Sequence, residues 1–190
     1  SNIGSLKNTG VEAALRWRAI ESKDWYWTID YNFTYNKNEI TDLTGGKDPN
    51  FVVATGGISA GTGVNAQAHA VGHPASSFYV YQQIYDKNGK AIEGAVVDRN
   101  GDGKITEADK YFYKSPMAPV TMGLSSRLEY KNWDLGFSLR ANIGNYVFND
   151  LMAGQVNISP AAIWASSEFL SNRPIASVKD NWQTGQTTAI

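Results

Sequence analysis

Trp25-Tyr26-Trp27-Thr28-Ile29-Asp30-Tyr31-Asn32-Phe33-Thr34-Tyr35-Asn36 decides the fold. The odd positions are Trp25, Trp27, Ile29, Tyr31, Phe33 and Tyr35. After Tyr26 the even positions are Thr28, Asp30, Asn32, Thr34 and Asn36. Alternation at every second residue puts apolar groups on one face of an extended strand and polar groups on the other; on a helix it would scatter them around the axis. The pattern recurs three times. Val11, Ala13, Leu15, Trp17 and Ala19 alternate with Glu12, Ala14, Arg16 and Arg18. Met122, Leu124, Ser126, Leu128 and Tyr130 alternate with Thr121, Gly123, Ser125, Arg127 and Glu129. Trp133, Leu135, Phe137, Leu139, Ala141 and Ile143 alternate with Asp134, Gly136, Ser138, Arg140 and Asn142.

Two short polar links, Glu21-Ser22-Lys23-Asp24 and Lys131-Asn132, join these strands into hairpins. The apolar face could line a soluble core, or it could face lipid around a wet lumen. Strand length favours lipid. About ten residues rise roughly 33 Å, and a tilt of about 45° brings that close to the apolar band of an outer-membrane barrel. Aromatic placement favours it too. Trp25 and Trp27 follow one turn, Tyr130 and Trp133 flank the other, and Tyr35 closes the far end, as rings with a polar edge do at both water–lipid boundaries. Arg16, Arg18, Asp30, Arg127, Glu129, Asp134 and Arg140 form a polar face of mixed sign suited to a hydrated interior.

Composition narrows the rest. The 190 residues carry a net charge of −1, no cysteine, 12 % aromatic and only 18 % charged residues. A balanced charge excludes a nucleic-acid footprint, and the lack of cysteine excludes disulfide scaffolds, thiol chemistry and Cys-ligated zinc. No apolar run is long enough for a membrane-spanning helix. The fold class expected is all-β: an antiparallel transmembrane β-barrel segment with long extracellular loops. Four strands cannot close a barrel, so this reading makes the chain part of a longer protein.

With the tight turns on the periplasmic side, residues 1–41 and 121–144 are the two barrel hairpins. Residues 42–120 are then one extracellular excursion, long enough to need structure of its own. Within it Gly45 to Pro74 is rich in Gly, Ala, Asn and Thr. Ser77 to Tyr85 reads as a strand, Asp86-Lys87-Asn88-Gly89 as a turn and Ala95-Val96-Val97 as a short strand. Residues 145–190 read as the end of a strand, then loop, then a short helix capped by Ser159 with Pro160 at its first position, and a polar tail.

Asp98-Arg99-Asn100-Gly101-Asp102-Gly103-Lys104-Ile105-Thr106-Glu107-Ala108-Asp109 fits a calcium loop position by position. Asp98, Asn100 and Asp102 offer side-chain oxygens at positions one, three and five. Gly103 permits the turn, Lys104 offers its carbonyl, Thr106 acts directly or through water, and Asp109 closes the loop. Asp at the last position, where Glu is usual, predicts weaker binding of Ca2+. The preceding segment reads as strand, so the loop is not an EF-hand. The bland alternative is a cluster of Asp, Asn and Gly turns with no metal. His69 and His73 lie beside Pro74 in a loop without a third ligand, and no nucleophile elbow, phosphate loop or dinucleotide fingerprint is present, so no enzyme is expected.

Several stretches resemble the SusC/RagA-type TonB-dependent outer-membrane transporters. These are Asn2 to Glu12, Tyr35-Asn36-Lys37-Asn38-Glu39-Ile40, Val71-Gly72-His73-Pro74 with Ser77 to Tyr81, Asp98 to Asp109, and Tyr130 to Leu135. They occur in family order over about residues 1–150, in the C-terminal third of such a protein. The resemblance implies part of a 22-stranded plugged barrel in the Gram-negative outer membrane. It also implies import of an oligosaccharide or peptide, a SusD-like surface lipoprotein, and TonB coupling through an N-terminal part this chain lacks. The alternative reading is a secreted, soluble β-rich binding module with a calcium loop. A calcium-dependent carbohydrate enzyme, or its accessory module, is the third.

Overall fold

The computed structural model describes residues 4–58 and 64–150. The helix expected after Ser159-Pro160 and the polar tail lie outside the described residues. Among the described residues ten strands form: β1 (Ser5–Glu21), β2 (Trp25–Asp42), β3 (Val53–Gly57), β4 (Asn65–His69), β5 (Ser77–Val80), β6 (Gln83–Tyr85), β7 (Ala91–Val96), β8 (Tyr111–Phe112), β9 (Val120–Tyr130) and β10 (Trp133–Ile143). They make three sheets, ordered β1-β2-β9-β10, β3-β4-β5-β8 and β6-β7. The observed pairs are antiparallel, and the four-stranded sheet is open. The chain divides into two compact units. Of the described residues, the first holds 4–52, 69–75 and 114–146; the second holds 53–58, 64–68, 76–113 and 147–150.

In the first unit the register carries the alternation from strand to strand. Leu15, Tyr31, Leu124 and Leu139 form one cross-strand row, and Ala13, Phe33, Met122 and Ala141 the next. The rows that alternate with them face the other way and carry the polar side chains: Arg16, Asp30, Ser125 and Ser138 on one side of the Leu15 row, and Ala14, Asn32, Gly123 and Arg140 on the other. A slip of one residue in any strand would mix the faces, so the shared pattern fixes the register. Ser126 falls among the apolar rows, and there the Trp27 indole N–H donates to its hydroxyl at 2.9 Å, so neither polar group faces the apolar side unpaired. Trp25 and Tyr130 stand opposite each other with ring centroids 4.1 Å apart at the turn end of the sheet.

On the apolar face of the sheet the structure departs from the sequence reading in β1. Ala19 does not continue the apolar face of β1. A bulge between Arg18 and Ile20 sets Ile20 opposite Trp27, so Ile20 takes the apolar place. A bulge inserts one residue and so moves the alternation by one. The first two strands are also longer than their patterned stretches. β2 and β9 part at Tyr35 and Val120, whereas β1 and β2 stay paired from Gly10 and Asn36 out to Ser5 and Asp42. Gly10 lies flat against this pair: a Cβ there would stand 2.3 Å from the Tyr35 carbonyl oxygen.

The outer edge of β2 is taken by residues 69–75. Ile40 donates to the His73 carbonyl at 2.9 Å and accepts from Gly72 N–H at 2.8 Å. Asn38, buried, accepts from Ala75 N–H at 2.8 Å and donates to Asn8 Oδ1 at 2.7 Å. An added strand-like segment satisfies an edge that would otherwise be bare. At the far end β10 stops at Ile143, so Asn145 lies beyond the strand rather than in it; Tyr146 N–H bonds the Ser115 carbonyl at 3.0 Å.

The second unit is built of short pieces. The strand expected over Ser77 to Tyr85 breaks at Tyr81-Gln82, because its halves join different sheets: β5 pairs with β4 and β8, and β6 with β7. Gln82 holds the corner, its carbonyl accepting from Val97 N–H at 2.9 Å and its side chain from Arg99 at 2.7 Å. The short strand expected at Ala95-Val96-Val97 belongs to β7, which starts earlier, at Ala91, and ends at Val96. Asp86 to Gly89 form the expected turn, with Gly89 N–H on the Asp86 carbonyl at 3.0 Å. The N–H groups of Lys90 and Asn88 both point at the Asp86 carboxylate and hold its pKa below the usual carboxylate range. Ala66, Ala68, Ser77 and Phe78 are the buried residues of this unit's strands.

Candidate functional site

Two places are candidate sites, one in each unit. The first is the polar face of the four-stranded sheet. Arg16 Nε bonds Asp30 directly across the β1–β2 pair. On β9 Arg127 stands opposite Gly136, which leaves room for its guanidinium to turn toward Asp134. Arg127 Nε lies 3.0 Å from both Asp134 Oδ2 and Glu129 Oε1, and a second guanidinium nitrogen also reaches Asp134. Between these two ion pairs lies a depression of 340 Å³ lined by Thr28, Asp30, Ser125, Arg127, Gly136 and Ser138. The Ser125 and Ser138 hydroxyls are 3.1 Å apart at its floor.

Every side chain in these rows is exposed or half-buried. Exposed ion pairs add little stability. What they supply is a face of fixed alternating charge and hydroxyls, able to replace the hydrogen bonds of water to a polar solute passing over it.

The second place is the 98–109 loop. Asp98 accepts from Gly101 N–H and Gly103 N–H, each at 2.7 Å. Asn100 Oδ1 accepts from Asp102 N–H at 3.0 Å, and Asp102 Oδ1 from Lys104 N–H at 2.8 Å. Gly103 sits at φ 78°, the left-handed conformation its place in the motif requires. Asp109 is fully buried and closes the loop. Its Oδ2 accepts from Thr106 N–H at 2.8 Å and its Oδ1 from Arg99 N–H at 2.9 Å. The Thr106 N–H, then those of Arg99 and Asn100, hold the Asp109 pKa below the usual range against the opposing pull of burial.

Thr106 in turn caps a single 3-10 turn, Glu107–Asp109, in a reciprocal box with Asp109. Sequence reasoning assigned Thr106 and Asp109 to a metal and missed this box. The signal was present, since Thr106-Glu107-Ala108-Asp109 has the capping-box spacing. Ile105 is half exposed.

The oxygens of Asp98, Asn100, Asp102, Lys104, Thr106 and Asp109 have the hard-donor chemistry that calcium prefers. Their arrangement holds the loop on its own amides, and among the described residues no three His, Cys, Asp or Glu side chains stand together as a metal cage. Sequence reasoning also missed a set of cations laid on tyrosine rings beside this loop. The Arg99 guanidinium lies 4.6 Å from the Tyr111 ring centroid, and Lys110 Nζ 5.2 Å from that of Tyr81. Lys110 also pairs with Glu107 at 2.8 Å.

No family model matches the chain. Among curated proteins it is 49 % identical over 169 residues to the TonB-dependent receptor SusC of Bacteroides thetaiotaomicron, covering 88 % of this chain and 17 % of the relative. The chain is of the SusC/RagA type. It is also 28 % identical over 201 residues to TonB-dependent receptor P3 of Formosa agariphila, covering 94 % of this chain and 20 % of the relative. A chain in the structure of the RagAB peptide transporter shares the fold, with a TM-score of 0.58 and 24 % identity over 81 % of this chain and 17 % of that one. The SusC-type chain therefore spans about a fifth or less of the length of these relatives. All are named as receptors or transporters, and TonB-dependent receptors are outer-membrane β-barrels. The open sheet of this SusC-type chain is then an arc of strands rather than a closed unit.

Proposed function

We propose that the chain forms part of the barrel wall and outer loops of a TonB-dependent importer in the outer membrane, taking up an oligosaccharide or a peptide. One observation carries this reading: across four paired strands the rows alternate between an apolar face, interrupted by Ser126, and a face of polar and small residues, over at least eleven residues of each strand. The apolar face meets lipid, and the polar face lines the path of the substrate. The partners are a SusD-like lipoprotein at the outer mouth and TonB acting on a part of the protein beyond this chain.

Cysteine scanning in the whole receptor, in intact cells, tests it. Ser125→Cys and Ser138→Cys should react with a small water-soluble maleimide, while Leu124→Cys and Leu139→Cys should not. Equal labelling of both sets would sink the lipid-facing assignment. Uptake of labelled oligosaccharides and of labelled peptides by the same cells then separates the two cargo classes.

The 98–109 loop is proposed to take Ca2+ through Asp98, Asn100, Asp102, the Lys104 carbonyl, Thr106 and Asp109, where the ion would pin an outer loop. The support is the run of six donor positions in order and the turn at Gly103. Binding would require Asp109 to exchange backbone amides for the ion. Calorimetric titration of the receptor with Ca2+ should show a site that Asp98→Ala with Asp102→Ala removes. Identical titrations of both proteins would refute it.

A further inference from the structure

We infer that Lys7 and Lys37 form a docking site for a phosphate-bearing lipid headgroup at the outer rim of the apolar band. This rests on the lipid-facing reading above and adds to it the chemistry of one neighbour. The last apolar row is Val11, Tyr35, Val120 and Ile143. Beyond it only β1 and β2 continue, and their register keeps the faces. Thr9 opposite Lys37, and then Lys7 opposite Glu39, therefore stand on the same side as the apolar rows. Two residues of strand rise roughly 7 Å, which sets Lys37 just outside the Tyr35 ring, at the depth of the headgroups.

The opposite side at this level carries uncharged Asn8, Asn36 and Asn38. The charge at the rim thus lies on the face turned to lipid, not on the face turned to the lumen. Glu39 holds Lys37 at 2.7 Å. Two ammonium groups and one carboxylate leave a net positive charge, which a phosphate complements.

Beside Lys37 a cavity of 200 Å³ opens between β2 and residues 115–119, lined by Tyr35, Pro74, Met117 and Pro119 and by the polar Asn36, Asn38 and Ser115. The apolar row of Val11, Tyr35, Val120 and Ile143 just below the two lysines suits the first carbons of the lipid's chain. A long lysine stem can lie along such a surface while its charge reaches the phosphate.

The test uses the whole receptor in nanodiscs of phosphatidylcholine doped with lipid A, and native mass spectrometry to count retained lipid A. Lys7→Gln with Lys37→Gln should lower retention about tenfold, while Lys7→Arg with Lys37→Arg should keep it. Dephosphorylated lipid A should be retained no better than phosphatidylcholine, and millimolar inorganic phosphate should not displace lipid A. Unchanged retention in the glutamine variant, or equal retention of the dephosphorylated lipid, overturns the site. Displacement by free phosphate alone overturns its assignment to a lipid. Failure of the receptor to enter a bilayer overturns this site and the barrel reading together, whereas entry with unaltered retention overturns only the site.

Discussion

The four-stranded sheet and the 98–109 loop solve the same problem, the pairing of backbone polar groups, in opposite ways. In the sheet the backbone N–H and C=O groups that face a neighbouring strand bond to it, which leaves the side chains free to divide between two faces. In the loop the backbone N–H groups are taken by side chains: Asp98, Asn100, Asp102 and Asp109 accept from seven of them in a span of twelve residues. The sheet tolerates change wherever the face is respected. The loop depends on particular carboxylates, and one of them, Asp109, serves both ends of it.

The largest expected effect comes from breaking the division of faces. In the whole receptor Leu124→Arg sets a charge on the apolar side near mid-strand, which costs about 2–4 kcal/mol at the centre of a bilayer. Urea unfolding from liposomes should show that loss, while Ser125→Arg, one residue away on the polar side, should leave the midpoint nearly unchanged. Equal losses would mean that the two faces do not differ in surroundings.

Gly10→Val should follow at about 1–3 kcal/mol, the usual cost of forcing extra atoms into a packed site. Its new Cβ must push the Tyr35 carbonyl away. The same unfolding assay reads it, and Gly4→Val, whose nearest contact is an ordinary 3.5 Å, serves as the comparison.

In the loop, Asp109→Asn should speed amide exchange at Arg99, Asn100 and Thr106 and leave exchange in β9 unchanged. Acid should do the same. The folded pKa of Asp109 lies below its unfolded value, so its contribution is fully present above the usual carboxylate range and is lost as pH falls through the lower, folded pKa. Protection at these amides should therefore hold at pH 6 and fall off below about pH 4, measured by pulse labelling. Loss already near neutral pH would assign the closure to another group.

The smallest effect belongs to Ser126→Ala. It leaves the Trp27 indole N–H without its acceptor on the apolar face and should cost about 0.5–1.5 kcal/mol. Replacing Trp27 by Phe in the same variant should recover most of that loss.

The two regions also differ in how far the sequence could be read. Strand existence, face and turn position in β2, β9 and β10 follow from the alternation alone, because a strand with unlike surroundings on its two sides must repeat every second residue. The type of the chain is legible too, in stretches such as Asn2 to Glu12 and Tyr35 to Ile40 that resemble the SusC/RagA-type receptors. The six donors of the loop are visible as a spacing. The sequence does not determine which atoms satisfy them, since a carboxylate binds an amide or a cation with the same oxygens.

Tertiary structure alone decided the rest. It placed Ile20 rather than Ala19 on the apolar face, because a bulge depends on how two strands twist together. It broke the Ser77–Tyr85 stretch between two sheets, a choice made by partners distant in sequence. It brought Tyr35–Ile40 against residues 69–75, set Arg99 and Lys110 on tyrosine rings, and aligned Lys7 with Glu39 and Thr9 with Lys37 above the last apolar row. The reason is common to all of these. Alternation is a property of one strand and can be read along it, whereas register, edge cover and neighbour charge exist only between segments that the chain brings together.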